Sequence, residues 1–187
     1  MNNMLFNVED TLCIAIDYQE KLVPAMNDNQ KLINNSVKLI KGLNILNVPV
    51  IFSQQYTKGL GMTVNEIMDA YEKDDQSFEY FDKKKFSCYE DDAIKEDIYI
   101  AGKNNIIICG METHICVLQT AIGLKEKGYN VMIITDCVSS RTKENSDIGI
   151  ERAKQEGILI GTYESILFEL TKGADMPGFK EISKLVK

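Results

Sequence analysis

Short apolar runs alternate along this chain with stretches in which apolar residues recur at helical spacing. Residues 12–16 and 48–52 are unbroken apolar runs, which are typical of strands buried on both faces of a parallel sheet. Between them, apolar side chains from Leu32 to Leu46 follow the spacing of an amphipathic helix. A strand, a helix and a second strand in this order predict a βαβ unit.

The same alternation continues through the rest of the chain. It predicts further strands at 80–83, 105–109, 131–136 and 158–162. It also predicts helices at 93–99, from 117 to about 127, at 143–156, and in two closing segments separated by Pro177. This pattern predicts an α/β fold with a mostly parallel sheet of about six strands, which forms a single domain over residues 1–187.

The strongest candidate for a functional site lies between Asn105 and Val117. An apolar run ends at Gly110, a polar turn follows, and helical spacing begins at Val117. A parallel strand that leads into a helix places its turn at the carboxyl edge of the sheet, where open α/β folds bind ligands. Cys116 would lie in the first helical turn, where free N–H groups and the helix dipole favour an anion. We therefore expect a thiol of lowered pKa, as a nucleophile requires.

Two other predicted strands deliver polar residues to the same edge. Asp17 follows the first strand and would point a carboxylate into the site, although aspartate is also a common turn and cap residue. The second strand leads into residues 53–56. The loop at 58–63 contains glycines but lacks both the dinucleotide and the phosphate-loop motifs, so we interpret it as a wall of the pocket.

Composition limits the classes of partner. The chain has 21 basic and 28 acidic residues and a formal net charge of −7, which argues against nucleic-acid and anionic-membrane surfaces and favours a small-molecule substrate. No apolar run reaches the roughly 18 residues that a membrane helix needs. The chain begins without the basic and apolar regions of a signal peptide, which predicts a cytoplasmic protein.

The cysteines and the histidine give no metal-binding pattern. The five cysteines include no CxxC pair, and the chain has one histidine, so we predict no metal and no cofactor. Cys13 and Cys109 fall within apolar strands and are interpreted as buried, whereas Cys88 and Cys137 fall in predicted loops.

Three separated motifs together resemble the isochorismatase-like cysteine hydrolase family. They are Ile16 to Gln19, Lys83 to Ser87, and Gly110 to Val117. Residues 55–64, 116–120 and 179–182 are also similar to the isochorismatase domain-containing subgroup. The resemblance implies a three-layer α/β/α, Rossmann-like fold, a catalytic triad of Asp, Lys and Cys, and assembly into homo-oligomers, as dimers or larger.

The resemblance also implies roles for individual residues. The aspartate of the triad falls on Asp17 and the nucleophile on Cys116. The family's lysine stands four positions before a serine, which selects Lys83, with the next two lysines as alternatives. A cis peptide bond is implied between Met111 and Glu112, and the main-chain N–H groups of Glu112 and Cys116 would form an oxyanion hole.

Loop residues around this edge are the candidates for substrate binding. They are Gln19, Leu22, Gln55, Tyr56, Phe86 and Thr113. Nicotinamidases of the family bind a metal in the region after the second strand, where this chain has Gln54, Gln55 and Tyr56. His114, beside the nucleophile, is interpreted as a packing residue of the pocket wall, because Asp17 takes the role of base in the resemblance.

Three functions are compatible with these residues. The first is hydrolysis of a small carboxamide or related acyl compound through a Cys116 thioester, with Asp17 as general acid and base and Lys83 as electrostatic partner. The second is hydrolysis of a vinyl ether such as isochorismate, with Asp17 as the acid and no need for a thiol. The third is a non-catalytic interaction protein on the same fold.

Overall fold

The computed structural model describes residues 5–71 and 78–187. In this part of the chain the strands are β1 (Thr11–Ile16), β2 (Val50–Gln55), β3 (Phe81–Lys83), β4 (Asn105–Met111), β5 (Asn130–Ser139) and β6 (Leu159–Gly161). The helices are α1 (Asn29–Ile45), α2 (Thr57–Leu60), α3 (Asn65–Tyr71), α4 (Asp92–Ala101), α5 (Leu118–Glu126), α6 (Lys143–Gln155), α7 (Tyr163–Thr171) and α8 (Phe179–Val186). A π-helical turn, Thr113–Val117, joins β4 to α5. The predicted domain of residues 1–187 includes 1–4 and 72–77, which lie outside the described residues, and its extent stays a prediction.

The strands form one sheet in the order β3-β2-β1-β4-β5-β6, and every neighbouring pair is parallel. Helices cover both faces of the sheet, which confirms the predicted three-layer α/β/α fold. After β1 the chain builds one side of the sheet, and from β4 onward it builds the other. The carboxyl ends of β1 and β4 therefore flank the point where the direction of winding reverses, which is the usual ligand site of such sheets.

The side chains of the apolar runs pack into two hydrophobic cores, one on each face of the sheet. In β1, Cys13 and Ala15 face a core that also contains residues of α1, α7 and α8. Leu12, Ile14 and Ile16 face the other core, together with residues of α4, α5 and α6. A strand that is buried on both faces needs apolar side chains at successive positions, which explains the unbroken runs.

Strand β5 is longer than the pattern predicts, and this changes the placement of Cys137. The prediction that Cys137 lies in a loop is wrong, because it is buried within β5. Thr135 and Asp136 are polar and interrupt the apolar run, so the sequence pattern does not show that the strand continues beyond them. The pairing of β5 with β4 also shifts register after Ile108, and such an irregularity leaves no clear trace in the alternation of residues.

Gly110 allows β4 to end close against β1. Its φ is +116°, a conformation that side chains with a β-carbon rarely adopt, and a β-carbon there would overlap the main chain of Ile16. Gly110 and Ile16 are paired in the sheet, so this close approach brings the turn after β4 beside Asp17. Among residues 5–71 and 78–187, no helix combines the length and apolarity needed to cross a bilayer.

Candidate active site

Asp17 directly follows β1 and lies at the centre of the candidate site. Its backbone is left-handed, with a φ of 57°, and its N–H donates to the Ser53 carbonyl at 3.0 Å. The side chain is buried; Oδ1 accepts from Ser53 Oγ at 2.8 Å, and Oδ2 lies 2.7 Å from Lys83 Nζ. The Cys116 thiol lies close enough for the Asp17 carboxylate to raise its pKa. One carboxylate thus pairs with the cation and lies within electrostatic reach of the thiol.

Lys83 is the last residue of β3 and has no exposed surface. Its Nζ donates to Asp17 Oδ2 at 2.7 Å and to Gln55 Oε1 at 2.8 Å. The next two lysines of the sequence are exposed and make no ion pair with Asp17 in the described part of the chain. The structure therefore brings Lys83 to Asp17, which is the lysine that Ser87 selects in the resemblance.

Cys116 lies in the π-helical turn before α5 and is only 6% exposed. Burial raises the pKa of its thiol to about 12, and the negative charge of Asp17 acts in the same direction. Lys83 lowers the pKa of this thiol, but its effect is smaller. The expectation of a lowered thiol pKa is therefore wrong for this enclosed site, because desolvation outweighs the cation and the helix terminus.

Burial also changes the pKa of the two charged partners. It raises the pKa of the Asp17 carboxyl, against the lowering effects of Lys83, Ser53 and Cys116. Burial by itself lowers the pKa of Lys83, but the charges of Asp17, Cys88 and Cys116 reverse this, and the net pKa is raised. Asp17 is thus a stronger base than an exposed aspartate, and Lys83 stays a cation.

A buried amide holds the loop after β2 in place. Gln19 Nε2 donates to the carbonyls of Gly61 at 2.8 Å and Gln55 at 3.1 Å, and Gln19 Oε1 accepts from the Gln55 N–H at 2.7 Å. Gln19 is fully buried. Its contacts support a role in loop positioning, and its burial leaves no exposed side-chain surface for the predicted substrate contact.

The remaining candidates for substrate binding differ in exposure. Tyr56 and Phe86 are 50% and 54% exposed, whereas Leu22 is half-buried. Tyr56 has a left-handed backbone, with a φ of 42°, and its ring packs directly on Gly59. Thr113 is buried, and its Oγ1 lies 3.1 Å from Ser146 Oγ of α6. Tyr56 and Phe86 are therefore the predicted contact residues most open to solvent.

Hydrogen bonds and an ion pair hold the turn that carries Cys116 in place. The peptide bond between Met111 and Glu112 is cis, at the position that the resemblance implies. The Glu112 carbonyl accepts from the N–H groups of Ile115 at 3.0 Å and Val117 at 3.2 Å. Glu112 Oε2 accepts from Arg141 Nε at 3.0 Å and from the Arg141 N–H at 3.3 Å. This ion pair ties the turn to the loop after β5.

Contacts of His114 also hold this turn in place. Its Nδ1 lies 2.9 Å from Ser140 Oγ, and the ring is half-buried. Gly149 of α6 packs on the His114 main chain, and a β-carbon at Gly149 would lie 3.0 Å from His114 Cα. These contacts match the packing role that the sequence suggests.

Some residues of the site were not found from the sequence. Ser53 was expected only as part of the segment 53–56, and Arg141 was not singled out, yet they contact Asp17 and Glu112. Cys88, interpreted as a loop cysteine, is buried in a short 3₁₀ turn with its Sγ 3.5 Å from Ser53 Oγ. Their position along the chain was the signal that could have identified them, because Ser53 and Arg141 both lie near the carboxyl ends of strands.

The region after β2, where nicotinamidases of the family bind a metal, contains amide side chains in this protein. Gln54 Nε2 donates to Thr63 Oγ1 at 2.9 Å, and Gln54 Oε1 accepts from Thr57 Oγ1 at 2.9 Å. Among the described residues, no three His, Cys, Asp or Glu side chains form a group that could hold a metal ion. The amides here are satisfied by hydrogen bonds within the protein, and the absence of a metal stays a prediction.

Known proteins share this sequence and fold. A family model described as the isochorismatase domain matches residues 11–165. A secreted isochorismatase effector of Phytophthora sojae is 39% identical over 157 residues, which cover 83% of this chain and 74% of that protein. Isochorismatase domain-containing protein 1 of Salmo salar is 36% identical over 177 residues, which cover 95% of this chain. The match spans 61% of that fish protein, less than two thirds of its length.

A solved structure agrees with the sequence matches. The protein described as MAR1 ribonuclease from Caenorhabditis elegans superimposes with a TM-score of 0.90 at 33% identity. The superposition covers 97% of this chain and 92% of that one. The family model, the relatives and the shared sheet architecture lead to one conclusion: the chain belongs to the isochorismatase family of hydrolases and matches its isochorismatase domain-containing subgroup.

Proposed function

We propose that this protein is a metal-independent cysteine hydrolase that cleaves a small carboxamide or related acyl compound through a Cys116 thioester. The observation that carries the proposal is the position of the buried Asp17 carboxylate, which pairs with Lys83 Nζ at 2.7 Å and lies within electrostatic reach of the Cys116 thiol. A thiol, a base and a fixed cation in one enclosed site are the groups that nucleophilic acyl transfer requires.

The raised thiol pKa determines how the first step proceeds. With a pKa of about 12, Cys116 holds its proton at neutral pH. Proton transfer to Asp17 therefore accompanies the attack of sulfur on the substrate carbonyl, and no thiolate accumulates beforehand. As Asp17 becomes neutral, the charge of Lys83 stabilises the negative charge that develops on the sulfur and the carbonyl oxygen.

The later steps reuse the same proton. In this proposal the N–H groups of Glu112 and Cys116 bind the oxyanion, and Asp17 returns its proton to the leaving amine as the C–N bond breaks. The product is an acyl thioester on Cys116 and a free amine. Asp17 then removes a proton from water, hydroxide attacks the thioester, and the carboxylic acid leaves as Cys116 regains its proton.

Substitution of the nucleophile tests the proposal. We expect Cys116→Ala to lower the turnover of small amides by at least about a thousandfold, because no thioester can form. Intact-mass spectrometry should detect an acyl adduct on the native protein and none on the variant. Cys13→Ala is the control, since Cys13 is buried in the core on the α1 side of the sheet. Equal amide turnover by the native protein and Cys116→Ala would overturn the proposal.

A second candidate is hydrolysis of a vinyl ether such as isochorismate. The observation that favours it is the burial of Asp17, which raises the pKa of the carboxyl and makes its protonated, acidic form more accessible. This chemistry uses Asp17 as general acid and does not use the thiol. Isochorismate cleavage that persists in Cys116→Ala and disappears in Asp17→Asn would therefore select this candidate. No hydrolysis of either substrate class by the native protein would leave the non-catalytic alternative.

We propose a small molecule as the substrate, and not a nucleic acid or a membrane surface. The Caenorhabditis elegans protein is described as a ribonuclease, but the net charge of −7 of this chain opposes phosphate-backbone binding. Incubation with labelled RNA should leave it intact, and degradation that requires Cys116 or Asp17 would contradict this part of the proposal.

Assembly and location also stay predictions. We expect a homo-oligomer, as a dimer or larger, which light scattering after size-exclusion chromatography would measure. We also propose a cytoplasmic location, whereas the Phytophthora sojae relative is described as secreted.

A further inference from the structure

The Lys83 ammonium has an anchor besides Asp17. An ammonium group carries three N–H donors, and two of them are accepted by Asp17 Oδ2 at 2.7 Å and Gln55 Oε1 at 2.8 Å. Cys88 and Cys116 also affect the pKa of Lys83, so both thiols lie within electrostatic reach. Gln55 therefore helps to determine where the cation stands relative to the Cys116 sulfur.

Gln55 is itself fixed by its surroundings. Its Nε2 donates to the Lys84 carbonyl at 3.1 Å, and its main-chain N–H and carbonyl are both bonded to the amide of Gln19, at 2.7 and 3.1 Å. A flipped amide would turn Nε2 toward the Lys83 ammonium and Oε1 toward the Lys84 carbonyl, and both contacts would be repulsive. The neighbours therefore determine that the oxygen of Gln55 faces Lys83.

A neutral acceptor has an advantage over a carboxylate at this position. A second carboxylate would attract the ammonium in competition with Asp17 and would keep its own charge throughout the reaction. The Gln55 amide accepts one hydrogen bond and adds no net charge. With a neutral Gln55, Lys83 keeps its position, and its charge remains free to stabilise negative charge on the Cys116 sulfur.

We infer that Gln55 is a positioning residue that acts through Lys83, and not the direct substrate contact that the sequence suggested. The inference rests on the proposed function, because it gives Lys83 the role of electrostatic partner to Cys116. Gln19 supports it in turn by holding both main-chain groups of Gln55.

The experiment measures the rate at which iodoacetamide alkylates Cys116 as a function of pH, followed by mass spectrometry of the peptide. We expect Gln55→Glu to slow this alkylation about tenfold at pH 8, because a second carboxylate draws the ammonium from the sulfur and adds negative charge nearby. Gln55→Met removes the acceptor and should lower kcat for a hydrolysed amide about a hundredfold, with KM changed less than about threefold.

Gln54→Met is the matched control. Gln54 is the neighbouring buried amide of β2, but it bonds to Thr57 and Thr63 and not to Lys83. We expect this variant to lower the melting temperature and to leave the pH profile of Cys116 alkylation unchanged. A substrate-binding role for Gln55 would raise KM and leave alkylation unchanged, and a purely structural role would lower only the melting temperature. Either result would overturn the inference.

The two readouts separate this inference from the proposed function. Alkylation needs no substrate, so it tests the link from Gln55 through Lys83 to Cys116 even if Cys116→Ala still hydrolyses amides. Where Gln55→Met fails to fold, the near-isosteric Gln55→Glu supplies the result. An unchanged alkylation profile in Gln55→Glu overturns the inference whatever the outcome for amide hydrolysis.

Discussion

Asp17 acts on Cys116 in two opposite ways. In the proposed mechanism its carboxylate is the base that accepts the thiol proton, yet its negative charge raises the pKa of that thiol. The proposed mechanism reconciles the two effects, because the charge of Asp17 disappears in the same step in which the sulfur attacks. At the scale of single residues, the reactivity of Cys116 toward a substrate therefore differs from its reactivity toward a simple alkylating reagent.

The pH dependence of alkylation tests the raised thiol pKa. Iodoacetamide reacts with the thiolate, and burial raises the pKa of Cys116 to about 12. The thiolate fraction increases with pH below this value, so we expect the alkylation rate to rise continuously from pH 7 through pH 10. A plateau beginning near neutral pH would contradict the raised pKa and would restore the expectation from the helix terminus.

Substitution of Asp17 should separate the two effects. Asparagine tolerates the left-handed backbone of this position, and Asp17→Asn removes the charge while it keeps a side chain of similar shape. The pKa of Cys116 should fall, because the coulombic effect of Asp17 raises it. We therefore expect alkylation at pH 8 to become faster and amide hydrolysis to fall at least a hundredfold. Parallel loss of both reactivities would contradict the dual role.

The sequence located the residues of the candidate site but not their electrostatics. The motifs around Asp17, Lys83 and Cys116 were sufficient to choose three positions that the structure brings together. The direction of the Cys116 pKa was wrong, since desolvation depends on packing from segments distant in the chain. The Arg141 contact with Glu112 was missed for the same reason, because no local spacing encodes it.

At the scale of elements, the π-helical turn is positioned by its contact with α6. Gly149 of α6 approaches the His114 main chain, and Thr113 bonds to Ser146 of the same helix. The helix pattern of residues 143–156 was predicted well because its helical spacing and the glycine that follows it, Gly157, are local signals. The contact between α6 and the turn is tertiary and therefore left no such signal.

Two glycine substitutions test how closely α6 must approach the turn. Alanine normally stabilises a helix interior by about 0.5–1 kcal/mol relative to glycine. At Gly149 a β-carbon would lie 3.0 Å from His114 Cα, so we expect Gly149→Ala to lower the melting temperature and to reduce amide hydrolysis about tenfold or more. Hydrolysis rates and thermal unfolding measure the two effects.

Gly123 of α5 provides the matched control. A β-carbon there would meet its nearest neighbour, Ser87 Oγ, at 3.7 Å, which is an ordinary van der Waals contact. Gly123→Ala should therefore raise the melting temperature slightly and leave hydrolysis unchanged. If both variants were stabilised alike, close packing of α6 against the turn would not be a constraint on the site.

At the scale of the whole molecule, the buried ion pair joins the centre of the sheet to its edge. Asp17 follows the central strand β1, and Lys83 ends the edge strand β3, with β2 between them. The regular alternation of strands and helices was enough to predict the parallel sheet. The length of β5 was predicted incorrectly, because the register shift against β4 is a property of the paired strands and not of either sequence alone.

Removal of one partner of this ion pair should destabilise the fold more than removal of both. Lys83→Met leaves the Asp17 carboxylate buried and unpaired, and such a loss costs about 3–5 kcal/mol. In the double variant Asp17→Asn, Lys83→Met, no unpaired charge remains, so we expect most of the free energy of unfolding to be recovered while hydrolysis stays absent. Urea unfolding followed by circular dichroism measures these values. Strict additivity of the two single substitutions would rule out the coupling.

The wide separation of Asp17, Lys83 and Cys116 along the chain has a consequence for synthesis of the protein. Asp17 and Lys83 are 66 positions apart, and Cys116 lies beyond both, so the three meet only after long-range strand pairing. A partly translated or partly folded chain carries an ordinary cysteine that no aspartate or lysine accompanies. In the proposed mechanism, Cys116 can therefore be acylated by a substrate only after the strands of the sheet have paired.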